Sequence, residues 1–435
     1  MRILPLVLLY EQNNMKNTSH VSFKNLTTAF ESKSDKDLMK AYQLFMLMNS
    51  QSLTNVGTFF IKFALKFNFP VNYLIKNTVF AHFCGGESLT ECLQTIKTLQ
   101  KYRVGTILDY SVEGIKKEEG FKDCMLEILN TIQKAAEEEG IPFAVFKPSG
   151  IGSVVLMHKV QKGEILSVYE RREFENFKSR FETICREAYL HHVKILIDAE
   201  ESWIQNVIDD IAREMMAKYN KEKPIVFTTL QMYRKDRLAF LKQSAEEAQN
   251  NDYILGIKLV RGAYLEKEIE YAADNRLPNP ICRTKEATDS AFNQAAAFIL
   301  THINRIAICC GTHNEKSNYR MIIKMDELNI NVNHPHVFFA QLLGMSDHIT
   351  YNLAKAGYNV AKYVPYGPVE AVMPYLIRRA SENSAVAGQT SRELKLIKME
   401  MKNRKLLKES QKNALNKNTN SGTDFQVNGY EFQDI

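Results

Sequence analysis

The residues with the most chemical promise sit close together in Tyr375-Leu-Ile-Arg378-Arg379-Ala-Ser-Glu382. At roughly 100° per residue, Tyr375, Arg378, Arg379 and Glu382 share one helical arc of about 100°. Met373, Leu376, Ile377 and Ala380 share the opposite arc. The apolar arc can therefore pack on a core while two guanidiniums project together. A guanidinium is a planar fork that binds carboxylates bidentately. On an isolated helix the plainer reading is a solvated face on which Glu382 satisfies an arginine. The rest of the chain decides between the two.

A second set of polar residues lies at the ends of short apolar runs. It comprises Asp109-Tyr110, Lys147, Asp198 with Glu200, Gln231 with Tyr233, Lys258 with Arg261 and Tyr264, Thr312-His313-Asn314, Gln341 and Tyr363. Singly, each has a structural explanation. Asp198 can cap, Lys147 can snorkel, and His313 can be a satisfied core histidine. Their recurrence at the ends of successive runs is what a core has no need of.

The runs themselves are Val104–Tyr110, Phe143–Lys147, Val193–Asp198, Ile225–Gln231, Tyr253–Val260, Ile306–Thr312, Val337–Gln341 and Val360–Tyr363. Near-continuous apolar strands separated by helical stretches indicate parallel strands buried on both faces. Eight of them within about 260 residues match a (β/α)8 TIM barrel, ahead of an open doubly wound sheet. In that fold the active site gathers the C-terminal ends of the strands, where the polar residues stand. The segment 151–192 is longer than one crossover needs and is expected to carry an inserted helix.

The remaining divisions follow from texture. Residues 1–34 are expected to be a mobile leader, with 1–14 equally read as lying upstream of a start at Met15. Residues 35–100 form a helical N-terminal segment, with a capping pattern at Ser88-Leu-Thr-Glu91. Residues 101–390 form the barrel, and 391–435 a basic helix followed by a disordered tail. Residues 392–417 hold nine Lys/Arg against three Glu.

Composition narrows the classes. The chain has 435 residues, 45% hydrophobic and 24% charged, with net charge +6. This is a globular composition with only weak support for nucleic-acid binding. No run approaches the length of a membrane-spanning helix. Seven irregularly spaced cysteines argue for a reducing compartment and against a disulfide framework. A nucleophile elbow, a Walker loop and a GxGxxG fingerprint are all missing. His334 and His336 have no companion ligands nearby, so no metal is expected. The cationic and amide groups at the strand ends suit a large anionic cofactor. The arginine pair and the tyrosines Tyr264, Tyr363 and Tyr375 suit a small amino or keto acid with an apolar body. A Schiff-base aldolase using Lys147 or Lys258 and a non-catalytic binder are the other readings.

Several stretches resemble the proline dehydrogenase family. They are Ile197-Asp-Ala-Glu200, Lys258-Leu-Val-Arg-Gly-Ala-Tyr-Leu265, Gly311-Thr-His-Asn314, Phe339-Ala-Gln-Leu-Leu-Gly-Met345, Tyr363-Val-Pro-Tyr-Gly-Pro368 and Pro374-Tyr-Leu-Ile-Arg-Arg379 with Glu382-Asn383. The likeness spans about residues 84–386 in order and is nearest the stand-alone, mitochondrial-type branch. It implies FAD in a distorted (β/α)8 barrel and the oxidation of L-proline to Δ1-pyrroline-5-carboxylate, with electrons passed to a membrane quinone. It also implies a separate protein for the next oxidation step.

By the same resemblance, Arg378, Arg379 and Lys147 are expected on the substrate carboxylate. Tyr264, Tyr363, Tyr375 and Leu259 are expected around the ring, with Asp198 ordering the charged lining. Gln231, Lys258, Arg261, Gly262, Thr312, His313, Asn314, Gln341 and Glu382 are expected at the cofactor. No acid or base is required for hydride transfer. Position 258 is an arginine in the bifunctional relatives. The lysine here keeps the cation and loses the bidentate geometry. Relatives acting on 4-hydroxyproline carry a smaller residue where Tyr363 stands, so proline is the expected substrate. The location implied is cytoplasmic, or the mitochondrial matrix in a eukaryote. Contact of the basic segment 392–417 with a membrane ranks behind a plainly solvated helix.

Overall fold

The structure is a computed structural model that describes residues 21–48, 75–112, 115, 117–385 and 392–405, without the side chains of 379–385. Eight parallel strands close into a barrel in chain order. They are β1 Gly105–Tyr110, β2 Phe143–Phe146, β3 Lys194–Ile197, β4 Val226–Gln231, β5 Leu255–Val260, β6 Ile306–Gly311, β7 Val337–Leu342 and β8 Val360–Tyr366. Every expected run is a strand. The eighth continues past Tyr363 because Val364 and Tyr366 extend its outward apolar row and pair with Leu108 and Tyr110 of β1.

Alternation divides each strand between two layers. Ile107, Phe143, Val145, Leu196, Phe227, Cys309, Ala361 and Tyr363 fill the barrel. Leu108, Ala144, Ile195, Val226, Ile257, Leu259, Ile308 and Val364 face outward into the helical shell. The β2–β3 connection holds helices Val154–Gln161 and Val168–Leu190, so the expected insertion is present. A reciprocal cap opens the second: Glu170 donates its N–H to Ser167 Oγ at 3.2 Å, and Ser167 returns its N–H to Glu170 Oε2 at 2.9 Å. The β5–β6 connection also carries two helices, Leu265–Asp274 and Lys285–Thr301, which the sequence reading did not separate.

The chain on either side of the barrel forms a second apolar core. Leu26, Phe30, Leu38, Phe45, Phe80 and Phe83 from the N-terminal segment join Val372, Met373, Tyr375 and Leu376 of the helix Val369–Ala385. Leu396 and Ile397, on a helix over 392–405, complete it. Residues 21–34 therefore differ from the expected leader: Phe23 packs on Tyr319, and Asn25 caps the short helix Leu26–Ala29. The physical reason is their apolar content, which buries as soon as a barrel surface is offered. Residues 1–20 and 406–435, which hold the rest of the expected leader and tail, lie outside the described residues.

Close backbone contacts set the entry to the last barrel helix. Gly367 follows β8 at φ +137°, and its N–H reaches Gly86 O at 3.1 Å. Glu87 accepts the Val369 N–H at 3.3 Å, placing a carboxylate at that helix's N-terminus. Gly344 has φ +77°, and a Cβ there would meet His82 O at 2.5 Å. The Ser88 pattern forms only in part. Ser88 Oγ accepts the Glu91 N–H at 3.3 Å, while the Glu91 carboxylate takes the N–H of Glu87. Among the described residues no helix is long and apolar enough to cross a membrane.

Candidate active site

Asp198 leaves the end of β3 with its side chain turned into the barrel mouth. It accepts from Lys147 Nζ at 2.9 Å, from Lys258 Nζ at 2.5 Å and from the Tyr363 hydroxyl at 2.9 Å. Lys147 also reaches both oxygens of Asp109, at 3.3 and 3.1 Å. The Lys258 ammonium lies 4.7 Å from the Tyr363 ring centroid, over its face. Strands 1, 2, 3, 5 and 8 thus converge on one buried cluster. No sequence separation announces it; the inward register of five strands does.

Electrostatics in the cluster are set by pairing. Burial alone would push Asp198 up, but Lys147 and Lys258 outweigh it and hold the carboxyl well below its ordinary value. Burial would push Lys147 down, but Asp109 and Asp198 outweigh it and keep the ammonium well above its ordinary value. Tyr363 is pushed well up by burial and by the same two carboxylates, so its hydroxyl stays protonated. Two carboxylates and two ammoniums cancel. Lys147, expected on the substrate carboxylate, is bridged here by Asp109 and Asp198.

Glu200, two residues beyond Asp198, has a different environment. Its Oε1 accepts the Ser149 N–H at 2.7 Å. Burial raises its carboxyl to about 7, Glu201 adds to the rise, and Ser149 and Lys147 oppose it.

The side of the mouth formed by β4 to β7 is cross-braced. Gln231 donates to Glu200 O at 2.8 Å and accepts the Ala263 N–H at 3.1 Å. Arg261 spends its three nitrogens on Asp289, Thr312 and Ser317 at 2.6, 2.6 and 2.9 Å. Gln341 donates to Thr312 O at 3.2 Å and accepts from the Thr350 hydroxyl at 2.8 Å. Asn314 caps the helix Glu315–Glu327 by accepting the Ser317 N–H at 3.0 Å. These residues hold loops at fixed spacing. Lys258 brings an ammonium to the end of β5 and His313 an imidazole to the end of β6. Gly262 lies exposed at φ +136° with the Tyr233 ring behind it, so a Cβ would approach the ring to 2.5 Å. This leaves bare main chain at the rim, where a large ligand can approach closely.

The helix Val369–Ala385 carries the remaining candidates. Tyr375 is buried with Met373 and Leu376, so the apolar arc is wider than its spacing suggested. Arg378 is half-buried, and its charge is felt at the Tyr264 hydroxyl, which burial pushes well up. Arg378 of this lid helix is thus within electrostatic reach of Tyr264 on the β5 loop. The side chains of Arg379 and Glu382 lie outside the described residues. Leu259 is fully buried with Leu255 and Ile257 on the helix side of β5, opposite Lys258. It backs the mouth and does not line it, because adjacent strand residues point to opposite faces. Among the described residues no cluster of His, Cys, Asp and Glu fits a metal. Sequence reasoning listed Asp109 and Glu200 only as strand-end residues, and it missed Ser346 and Glu393 altogether. Ser346 Oγ lies 2.9 Å from His313 Nδ1, and Glu393 accepts the Ser346 N–H.

A family model described as proline dehydrogenase matches residues 92–392. The carbapenem antibiotics biosynthesis protein CarD of Pectobacterium carotovorum subsp. carotovorum is 34% identical over 319 residues, covering 73% of this chain and 82% of that protein. The mitochondrial proline dehydrogenase 1 of Dictyostelium discoideum is 33% identical over 404 residues, covering 83% and 70%. The crystal structure of proline utilization A from Bdellovibrio bacteriovorus, inactivated by N-propargylglycine, superposes with a TM-score of 0.65 at 20% identity. It covers 86% of this chain, which spans only 40% of that longer one, and at this identity the likeness is one of fold.

Proposed function

This chain belongs to the proline dehydrogenase family, and from that premise we propose that it binds FAD and oxidises L-proline to Δ1-pyrroline-5-carboxylate. The observation that carries the reading is the buried Lys147–Asp198–Lys258–Tyr363 cluster beneath the helix that bears Arg378. The donor set fits a flavin. Lys258 and His313 would hold it at the ends of β5 and β6, and the exposed Gly262 main chain leaves room beside them. FAD, when bound, supplies the acceptor for a hydride from the carbon beside the proline nitrogen.

The protein's own part is binding and orientation. Arg378, with Arg379, holds the proline carboxylate from the lid. Tyr363 gives the ring an apolar wall, and its hydroxyl is fixed by Asp198 so that the wall does not turn. Lys147 stays charged but bridged by Asp109 and Asp198, so it adds a weak attraction and no net excess. The lid helix, anchored through Tyr375 and Leu376, excludes water from the mouth.

The test is spectroscopic. The purified chain is expected to be yellow, with a flavin band near ~450 nm that bleaches on adding L-proline without oxygen. A colourless protein that borohydride traps on a keto acid would instead mark the aldolase reading. Comparing kcat/KM for proline and 4-hydroxyproline separates the two substrates, and the bulk of Tyr363 favours proline.

We further propose that electrons pass to a membrane quinone and that the helix over 392–405 faces the lipid. Its Lys395, Lys398, Lys402 and Lys405 form an exposed stripe opposite Leu396 and Ile397. The cysteines support a reducing location, cytoplasmic or matrix.

A further inference from the structure

The helix over 392–405 begins with two charged residues that reach back into the barrel mouth. Arg392 donates through its Nε to Glu315 Oε1 at 2.9 Å, and its NH2 lies 2.8 Å from the same oxygen. That oxygen also lies 3.0 Å from His348 Nε2. Glu315 opens the helix that follows β6, and His348 lies in the first turn of the helix that follows β7.

Glu393 is more unusual. It is 3% exposed, although its helix offers ample solvent on the other face. Its Oε1 accepts the Ser346 backbone N–H at 2.7 Å and the Ser346 hydroxyl at 3.3 Å. The same hydroxyl lies 2.9 Å from His313 Nδ1. The Ser346 hydroxyl therefore stands within hydrogen-bond distance of both His313 and Glu393 and joins the two. The other charged groups around Glu393 are His348, Asp347 and Lys362.

The backbone at Ser346 supports a purpose for the hydroxyl. Ser346 sits at φ +53°, in the left-handed region that favours glycine, and two residues earlier Gly344 meets a similar demand at +77°. A glycine would satisfy the conformation at 346 as well. Serine keeps the strain and gains only an Oγ, which is the atom that joins His313 to Glu393.

We propose that Ser346 and Glu393 are positioning residues that orient His313 at the β6 end of the mouth. The helix over 392–405 then forms a working part of the flavin-binding site, although it lies almost entirely beyond the segment 92–392 that the family model matches. The inference rests on the proposed use of FAD.

The test compares Ser346→Gly, Glu393→Gln and the double variant in the full chain, reading the FAD dissociation constant and the melting temperature. Ser346→Gly relieves the backbone, so its melting temperature is expected to hold or rise. Its FAD dissociation constant is expected to rise about tenfold, as for one lost charge-assisted hydrogen-bond chain. Glu393→Gln keeps an acceptor for the Ser346 N–H, and its effect is expected to be smaller, about threefold. The double variant is expected to bind no more weakly than Ser346→Gly alone, because both cut one chain. Unchanged FAD affinity in Ser346→Gly overturns the inference, as do effects that multiply in the double variant. If the unsubstituted chain binds no FAD, the proposed function falls first, and this inference with it.

Discussion

Asp198 and Glu200 stand two residues apart on the same loop, yet they titrate in opposite directions. Asp198 is flanked by two ammoniums, whereas Glu200 has one backbone N–H and little else. The consequence for stability has a definite sign. In the unfolded chain the Glu200 carboxyl ionises near 4.5, and in the folded chain near 7. Between those values the folded state holds the extra proton, so stability falls as pH rises through that window and stays lower above it. Glu200→Gln keeps an acceptor for the Ser149 N–H and removes the titration. It is expected to add up to about 3 kcal/mol of stability at pH 8 and almost none at pH 4. Urea unfolding at the two pH values checks this; an equal gain at both would mean that Glu200 is not held neutral by burial.

At the scale of elements, the lid helix Val369–Ala385 is not a free flap. It shares the second core with the N-terminal helix Asp35–Met48 and the helix over 392–405. Arg404 ties the two outer helices together through Asp35 Oδ1 at 3.0 Å and holds the turn before the first through Phe30 O and Lys33 O, both at 2.8 Å. The same strip that loads the lid also brings Glu393 to the mouth. Ile397→Ala removes a fully packed side chain from this core, at a cost of about 2–4 kcal/mol. Hydrogen exchange is expected to quicken together in Asp35–Met48 and 392–405 while β1 to β8 keep their protection. Loss confined to 392–405 would show that the three helices do not act as one unit.

For the whole molecule, the spread of charge bears on how electrons leave. The net charge of +6 is modest, but the exposed lysine stripe of the last described helix concentrates part of it on one face. Each lysine near an anionic bilayer contributes about 1 kcal/mol. The protein is expected to float with anionic phospholipid vesicles at low salt and to be released at roughly 0.5 M salt, where the Debye length shortens to a few ångströms. Changing Lys395, Lys398, Lys402 and Lys405 together to Gln is expected to abolish flotation and leave proline-dependent bleaching of the flavin intact. Flotation that survives the four changes would place the contact elsewhere.

What the sequence determined by itself was whatever depends on neighbours along the chain. Apolar alternation and β-branched runs are local, so eight strands, their order and the polar residues at their ends were legible, and with them the barrel. The ordered motifs made the family legible as well. Partners distant in the chain were not. Lys147 was legible only as a strand-end residue, and nothing local named its partners Asp109, 38 residues before it, and Asp198, 51 residues after it. Leu259 looked like a pocket wall until the strand's alternation turned it outward. Residues 21–34 looked like a leader until Asn25 and Asn352, 327 residues apart, were joined by a hydrogen bond. Closure of the barrel decided these pairings, because only the tertiary fold sets which charges meet in a low-dielectric interior and which apolar surfaces find cover.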